Sequence, residues 1–250
     1  MTHLEFATKL AREAGAVIKA NFAIGMKKDW KADDTPVTVT DHAINRTVIE
    51  AVRKTYPKMS LLGEEDSFMV EGSEYTWVCD PVDGTIPFSH GVPTCMFSLA
   101  LVKNGESILG VLYEPFLNRM FTAEKGKGAF LNGKPIQVSK AKTFKRSITS
   151  VTEPGAYKAF VDAGSRVMSL LSYCYVSSLV ASGELTAAVA WKWAGAWDVA
   201  AVKVIVEEAG GKVTDLRGNE QRYDGPLNGA IATNGILHAE ALKLVQVDKP

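Results

Sequence analysis

The chain opens on an apolar stripe of helical period. Leu4, Ala7, Leu10, Ala11, Ala14, Val17 and Ile18 recur at three- and four-residue intervals with charged residues between them. Thr2 and Glu5 stand at capping-box spacing around its start, so the pattern predicts an N-terminal amphipathic helix. A polar stretch over 27–36 follows. Ala43, Ile44, Val48, Ile49 and Val52 then repeat the period up to Pro57, which places Asp41 where a loop becomes a helix. After that the texture changes. Residues 75–79, 96–102, 108–113 and 120–123 are short apolar runs divided by Gly, Asn and Pro, and they predict strands of an antiparallel sheet. Gly126-Lys127-Gly128 and Asn132-Gly133-Lys134 mark turns between strands.

From Thr143 the segments shorten. The pattern predicts a strand at 148–151, a helix at 157–164, an apolar helix at 176–181 and a strand at 185–190. A helix over 199–209 closes on Gly210-Gly211, strands follow at 213–215 and 230–233, and a last helix covers 236–244. The expected architecture is layered α/β in two parts, 1–142 and 143–250, with a cleft between them.

Composition narrows the function. The chain has 250 residues, enough for a large core, and its 46% hydrophobic and 22% charged residues exclude a disordered protein. Lys plus Arg and Asp plus Glu balance at 28 each, so no global positive field gathers nucleic acid or an anionic membrane. An anionic substrate must be attracted locally. Glu5, Lys9, Arg12, Glu13 and Lys19 break up the N-terminal apolar positions, which argues against a secretory segment and for a cytoplasmic protein. Cys79, Cys95 and Cys174 fit neither a disulfide framework nor a zinc motif and are expected as buried free thiols.

The strongest chemical signal is Asp80-Pro81-Val82-Asp83-Gly84-Thr85, where two carboxylates follow a predicted strand and precede a glycine. Hard divalent cations such as Mg²⁺ take carboxylate, carbonyl, water and phosphate oxygens, so these residue types suit magnesium and not zinc. The amides of Gly84 and Thr85, opening a helical turn, would face a phosphoryl group. On these residues alone, an Asp-Pro-x-Asp-Gly turn bonded to its own backbone is the favoured reading. Asp41 and Asp198, each at a predicted helix start, are also explained by capping.

Three further segments change the balance. Val37-Thr38-Val39-Thr40-Asp41, Gly63-Glu64-Glu65, the Asp80 to Thr85 corner, and Trp197-Asp198-Val199-Ala200-Ala201 running to Glu208-Ala209-Gly210-Gly211 together resemble the inositol monophosphatase superfamily in order and approximate spacing. Gly126 to Gly133 is similar to that family's hairpin. The resemblance spans nearly the whole chain and implies a five-layer αβαβα sandwich. It also implies a lithium-sensitive phosphomonoesterase with two to three Mg²⁺ per site, Mn²⁺ being a possible substitute.

Carried over by position, the resemblance assigns Glu64, Asp80 and the Val82 carbonyl to one metal and Asp80, Asp83 and Asp198 to a second. Asp41, Glu64 and Thr85 become the catalytic set, with Asp41 and Thr85 orienting or deprotonating the attacking water. Asp83, Gly84, Thr85, Trp191 and Asp198 become the residues that face phosphate and substrate, with Lys31 near the site. Glu65 and His90 carry no assigned role.

Trp191 stands where inositol phosphatases of this family often have a glutamate, with Trp193 close by. An indole offers one donor and no acceptor to a polyol. This departure counts against inositol 1-phosphate, which still ranks first as substrate on the family resemblance, followed by histidinol phosphate, because the Ser89 to Pro93 loop resembles that of histidinol phosphatases, then fructose 1,6-bisphosphate or adenosine 3',5'-bisphosphate. The expected partners are a small phosphorylated metabolite and a second copy of the chain, with no direct contact to membrane or nucleic acid. The alternative of another class is a regulatory protein that binds transcription complexes. Such a module would have no reason to keep Glu64, Asp80, Asp83, Asp198 and Thr85 together.

Overall fold

The structure is a computed structural model that describes residues 1–32, 34–191 and 194–245, so Trp193 lies outside the described residues. Helix α1 (His3–Asn21) starts on the expected capping box, in which Glu5 N–H donates to Thr2 Oγ1 at 3.1 Å and Thr2 N–H to Glu5 Oε2 at 2.7 Å. A two-residue hairpin, β1 (Asp29–Trp30) and β2 (Pro36–Val37), crosses the polar stretch. Helix α2 (Val39–Thr55) follows directly.

Seven strands then form the first sheet: β3 (Ser60–Gly63), β4 (Tyr75–Asp83), β5 (Met96–Lys103), β6 (Glu106–Glu114), β7 (Arg119–Glu124), β8 (Ala129–Leu131) and β9 (Lys134–Pro135). They lie side by side in chain order, antiparallel except for the β3–β4 pair. Between β4 and β5 sits a single helical turn, α3 (Thr85–Ser89). The sequence pattern identified the long strands of this sheet but not β3, whose four residues are too short to show alternation.

The remainder folds around a second sheet: β10 (Ile148–Ser150), α4 (Pro154–Asp162), β11 (Arg166–Met168), α5 (Tyr173–Ala181), β12 (Ala187–Ala190), α6 (Ala196–Glu208), β13 (Lys212–Thr214), β14 (Ala230–Thr233) and α7 (His238–Leu244). Its order is β11-β10-β12-β14-β13, with parallel pairing around β10 and antiparallel pairing around β14. β11 escaped the pattern because its residues are half-buried or exposed at the sheet edge. α4 begins earlier than its apolar period because Glu153 caps the amides of Gly155 and Ala156 at 2.9 and 2.5 Å, and Pro154 opens the first turn.

Strand alternation sorts the core into layers. Trp77, Cys79, Phe97, Leu99, Leu101, Leu109 and Val111 point towards α1 and α2. Val78, Ala100, Val102 and Leu112 point the other way, against α5 and α6, whose far sides pack on Ala188, Ala230 and Ala232 of the second sheet. The outer face of that sheet, with Ala187, Val189 and Ile231, is covered by Phe160 of α4 and Ala241 of α7. The order of layers is helices, sheet, helices, sheet, helices, which is the five-layer sandwich. Helix α6 is the buried centre. Its adjacent small residues Ala200 and Ala201 let both sheets approach, and Gly110 of β6 has no room for a Cβ, which would fall 2.7 Å from the Ala201 carbonyl.

Candidate active site

Asp80 and Asp83 are three residues apart, so a regular strand would send them to opposite faces. A bulge prevents this. Asp80 pairs with Ser98 and Asp83 with Met96, so one extra residue is inserted in β4, and both carboxylates turn to the α5–α6 side. Pro81 sits in that bulge, beyond the end of β3, where no neighbouring strand needs its missing N–H. Asp80 Oδ1 accepts from Val82 N–H at 2.9 Å, which fixes the corner from inside.

Helix termini bring the other parts. Asp198 is the third residue of α6, and its Oδ2 accepts the Gly195 N–H at 2.6 Å. Asp41 is the third residue of α2, where Oδ2 accepts from Thr38 Oγ1 at 2.5 Å and Thr38 N at 2.9 Å. Each therefore caps its helix and still presents a second oxygen to the cleft side. Asp83 is held by the start of α5, with Ser172 Oγ and Cys174 N (2.9 Å) donating to one oxygen and Tyr173 N (3.3 Å) to the other. Gly84 adopts φ +90°, and a Cβ there would lie 2.7 Å from the Thr94 carbonyl and 2.8 Å from Ser172 Cβ. Only glycine lets this corner close onto α5.

Asp80, Asp83 and Asp198 each offer an oxygen within 4.8 Å of the others, and all three are buried. Glu64 lines the same cavity of about 370 Å³ and meets Asp80 through its side chain, while Lys31 of the β1–β2 connection bonds Glu64 Oε1 at 2.7 Å and Glu65 Oε1 at 2.5 Å. The Thr85 hydroxyl lies 3.1 Å from Asp41 Oδ1 and 2.9 Å from the Val82 carbonyl. Its single proton serves one of them at a time.

Crowding controls the ionisation. Burial, and then Glu64, Asp83 and Asp198, push the Asp80 carboxyl well above the usual carboxylate range. Burial followed by Asp83 and Glu64 does the same to Asp198. Asp83 is raised by burial to about 6, against the lowering effect of Ser172 and the Cys174 amide. Asp41 is pushed up to about 6, chiefly by burial, against its Thr38 bonds. The two carboxylates on Lys31 hold its proton more tightly than usual, although burial opposes this.

These residues fit a divalent metal. The donors are carboxylate and carbonyl oxygens only, the set hard cations take. Three buried carboxylates with raised proton affinity form a cluster that cations relieve. Among the described residues, the one cationic side chain bonded to this group, Lys31, holds Glu64 and not the three aspartates.

The structure thus brings together Glu64, Asp80, Val82, Asp83, Gly84, Thr85 and Asp198 as lining of one cavity, with Asp41 behind Thr85. Trp191 is not in that lining. It is half-buried and packs beside the apolar cluster of α4 and α7. Trp197 takes the cleft position, its indole lying against the backbone of Gly195, where a Cβ would fall 2.4 Å from the ring. His90 is exposed at the end of α3, beside Lys28 and bonded to the Ile86 carbonyl at 2.8 Å. Sequence reading missed Ser172, Leu171 and Thr152. The cap Ser172 was findable as a serine before an apolar helix, but that helix was placed three residues too late. Leu171 and Thr152 lie in loops with no local signal.

The fold and this cluster define a layered α/β protein with a buried all-oxygen acidic cluster, of a kind that could hold a cation, in an open cleft. The family model described as "Inositol monophosphatase family" matches residues 2–248, and the chain belongs to that family. Similar proteins include a fructose-1,6-bisphosphatase/inositol-1-monophosphatase of Thermotoga maritima, 34% identical over 98% of this chain and 96% of that protein. A histidinol-phosphatase of Chlorobaculum parvum is 36% identical over 94% and 93%. Among solved structures, a Thermotoga maritima IMPase superposes with a TM-score of 0.88 at 33% identity, covering 98% of this chain and 97% of that one. The extragenic suppressor protein suhB of Bartonella henselae gives 0.89 at 25% identity, with 97% of each covered. The family is metal-dependent, and its named relatives are phosphatases. Among the described residues, no helix is long and apolar enough to cross a membrane.

Proposed function

We propose that this protein is a Mg²⁺-dependent phosphomonoesterase that hydrolyses a small phosphorylated alcohol. The observation that carries the reading is the convergence of buried Asp80, Asp83 and Asp198 within 4.8 Å, beside the Thr85–Asp41 pair. Asp80, Asp83 and Asp198, with Glu64 and the Val82 carbonyl, would hold the cations. When bound, the cations supply charge neutralisation for the phosphoryl group and lower the pKa of water.

The chain's own groups do the rest. Gly84 and Thr85 line the cleft where the phosphoryl group rests. The Thr85 hydroxyl accepts from the attacking water and passes its own proton to Asp41 Oδ1 at 3.1 Å. Asp41, with its pKa at about 6, is mostly ionised near pH 7.5 and can take that proton. Water oxygen bonds to phosphorus, the P–O ester bond breaks, and the alcohol oxygen leaves with a proton from solvent.

The names of relatives place inositol 1-phosphate first. One observation favours the second reading, histidinol phosphate: the rest of the lining is largely apolar, with Pro36, Ile86, Leu171 and Trp197. A cytoplasmic homodimer is the working form supported by the family resemblance. The test is phosphate release from inositol 1-phosphate, histidinol phosphate, fructose 1,6-bisphosphate and adenosine 3',5'-bisphosphate with Mg²⁺ present. Release from at least one supports the reading; no release from any overturns it.

A further inference from the structure

Outside the carboxylates and the Val82 to Thr85 corner, six residues line the cleft: Thr35, Pro36, Ile86, Thr152, Leu171 and Trp197. Four of them are apolar. Ile86 and Leu171 are 41% and 49% exposed, so large aliphatic surface is kept open at the mouth of a charged site. Such surface is either covered when a ligand binds or is one of the scattered exposed apolar side chains common on any protein.

The backbone of Leu171 separates these two cases. Its φ is +54°, a left-handed conformation in which a leucine Cβ crowds the next carbonyl. Glycine or asparagine would sit there more easily. Both neighbours of Leu171 are pinned. The Leu170 carbonyl accepts from Thr94 Oγ1 at 3.2 Å, and the Ser172 hydroxyl donates to Asp83 while accepting from Tyr175 N at 3.2 Å. The loop must therefore turn at residue 171, and the chain makes that turn with a bulky aliphatic residue facing the cavity. An outlier held in place by its surroundings at a ligand site points to function.

We propose that Leu171, with Ile86 and the Trp197 indole, forms the selectivity wall of the cleft and prefers phosphomonoesters whose alcohol presents an apolar, planar face over phosphorylated polyols of similar size. The proposal rests on the phosphomonoesterase reading and specifies its substrate. Polyol hydroxyls pressed on this wall lose water and gain no partner there. Trp197 offers one N–H and accepts nothing. Asp83 accepts from Ser172, Tyr173 and Cys174 and one Asp198 oxygen from the Gly195 amide, so the acceptor capacity that remains lies in the acidic half of the cleft and not on this wall. An aryl or imidazolyl alcohol instead covers Leu171 and Ile86 and stacks on the indole.

The test compares kcat/KM for benzyl phosphate and inositol 1-phosphate, with Mg²⁺, in the wild type, Leu171→Gly and Leu171→Asn. Both replacements accept a positive φ, so the loop keeps its turn. The ratio of the two constants does not depend on how much of each preparation is folded. The wild type should favour benzyl phosphate by about tenfold or more, and both variants should lower that ratio by about tenfold, mainly through KM. A wild type that favours inositol 1-phosphate, or a ratio unchanged in both variants, overturns the proposal. No release from either ester by the wild type would instead refute the phosphomonoesterase reading on which it rests.

Discussion

The two halves of the cleft are built on opposite rules. In the half that holds Asp80, Asp83, Asp198 and Thr85, every side chain is polar, mostly buried and fixed by bonds from a bulge or a helix start. In the half that holds Pro36, Ile86, Leu171 and Trp197, the residues are apolar, and all but the buried Pro36 are partly exposed. The first half sets what reaction is possible and is costly to the fold. The second half sets which alcohol enters and costs less. Changes in the two halves should therefore differ in kind.

The largest effect is expected at Asp80, whose carboxyl faces Glu64, Asp83 and Asp198 together. Asp80→Asn should reduce phosphate release by about 10³-fold or more, because charge neutralisation of the phosphoryl group depends on this carboxylate. The same variant should stabilise the protein when divalent cations are removed by chelation. It removes a carboxyl whose ionisation is opposed by burial and then by Glu64, Asp83 and Asp198, and a gain of about 1–2 kcal/mol would raise Tm by about 2–8 °C. Calorimetry in chelator reads the second effect, and a lowered Tm would break the contrast between the halves.

Thr85→Ala should lower kcat by about 10²-fold or more with little change in KM, since the hydroxyl linking Asp41 to the cleft is lost. Steady-state kinetics at saturating Mg²⁺ checks this. Ser172→Ala removes one donor from Asp83 and should weaken Mg²⁺ affinity by about tenfold, measured by titrating activity with the cation.

The smallest effect concerns pH. The Asp83 carboxyl is raised from 3.8 to about 6 in the fold, so the metal-free protein favours its protonated form. The stability this gives is full below about pH 4 and is lost as pH rises through about 6. Mg²⁺ binding reverses that loss, so the Tm increase it causes should be larger at pH 7.5 than at pH 5. An equal increase at both values would show that the cluster is not the place of binding.

Legibility in the sequence divides along the same line. The acidic half could be read because its residues come in short motifs at element ends, where strand, bulge and capping chemistry constrain the residue type: Asp80 to Thr85 after a strand, Asp41 and Asp198 in first helical turns. The layered fold was readable through the period of α1 and the apolar runs of β4 to β6, which are buried on both faces. The apolar half was not readable. Leu171 and Thr152 sit in loops whose path depends on the packing of α5 against the Gly84 corner, which no local pattern encodes. Trp191 and Trp197 both precede Asp198 in the chain, Trp197 within the first turn of α6 and Trp191 before it. Only the contact of Gly195 with the Trp197 ring, and the packing of Trp191 beside the α4–α7 cluster, distinguishes them.

The central claim is that buried oxygens of this cluster work through bound divalent cations. Its most direct test is phosphate release from a turned-over phosphomonoester after exhaustive chelation and then on return of Mg²⁺. The claim predicts that release falls to background in chelator and recovers in the wild type, with no recovery in Asp83→Asn. Turnover that persists in chelator, or that Asp83→Asn recovers in full, would contradict it.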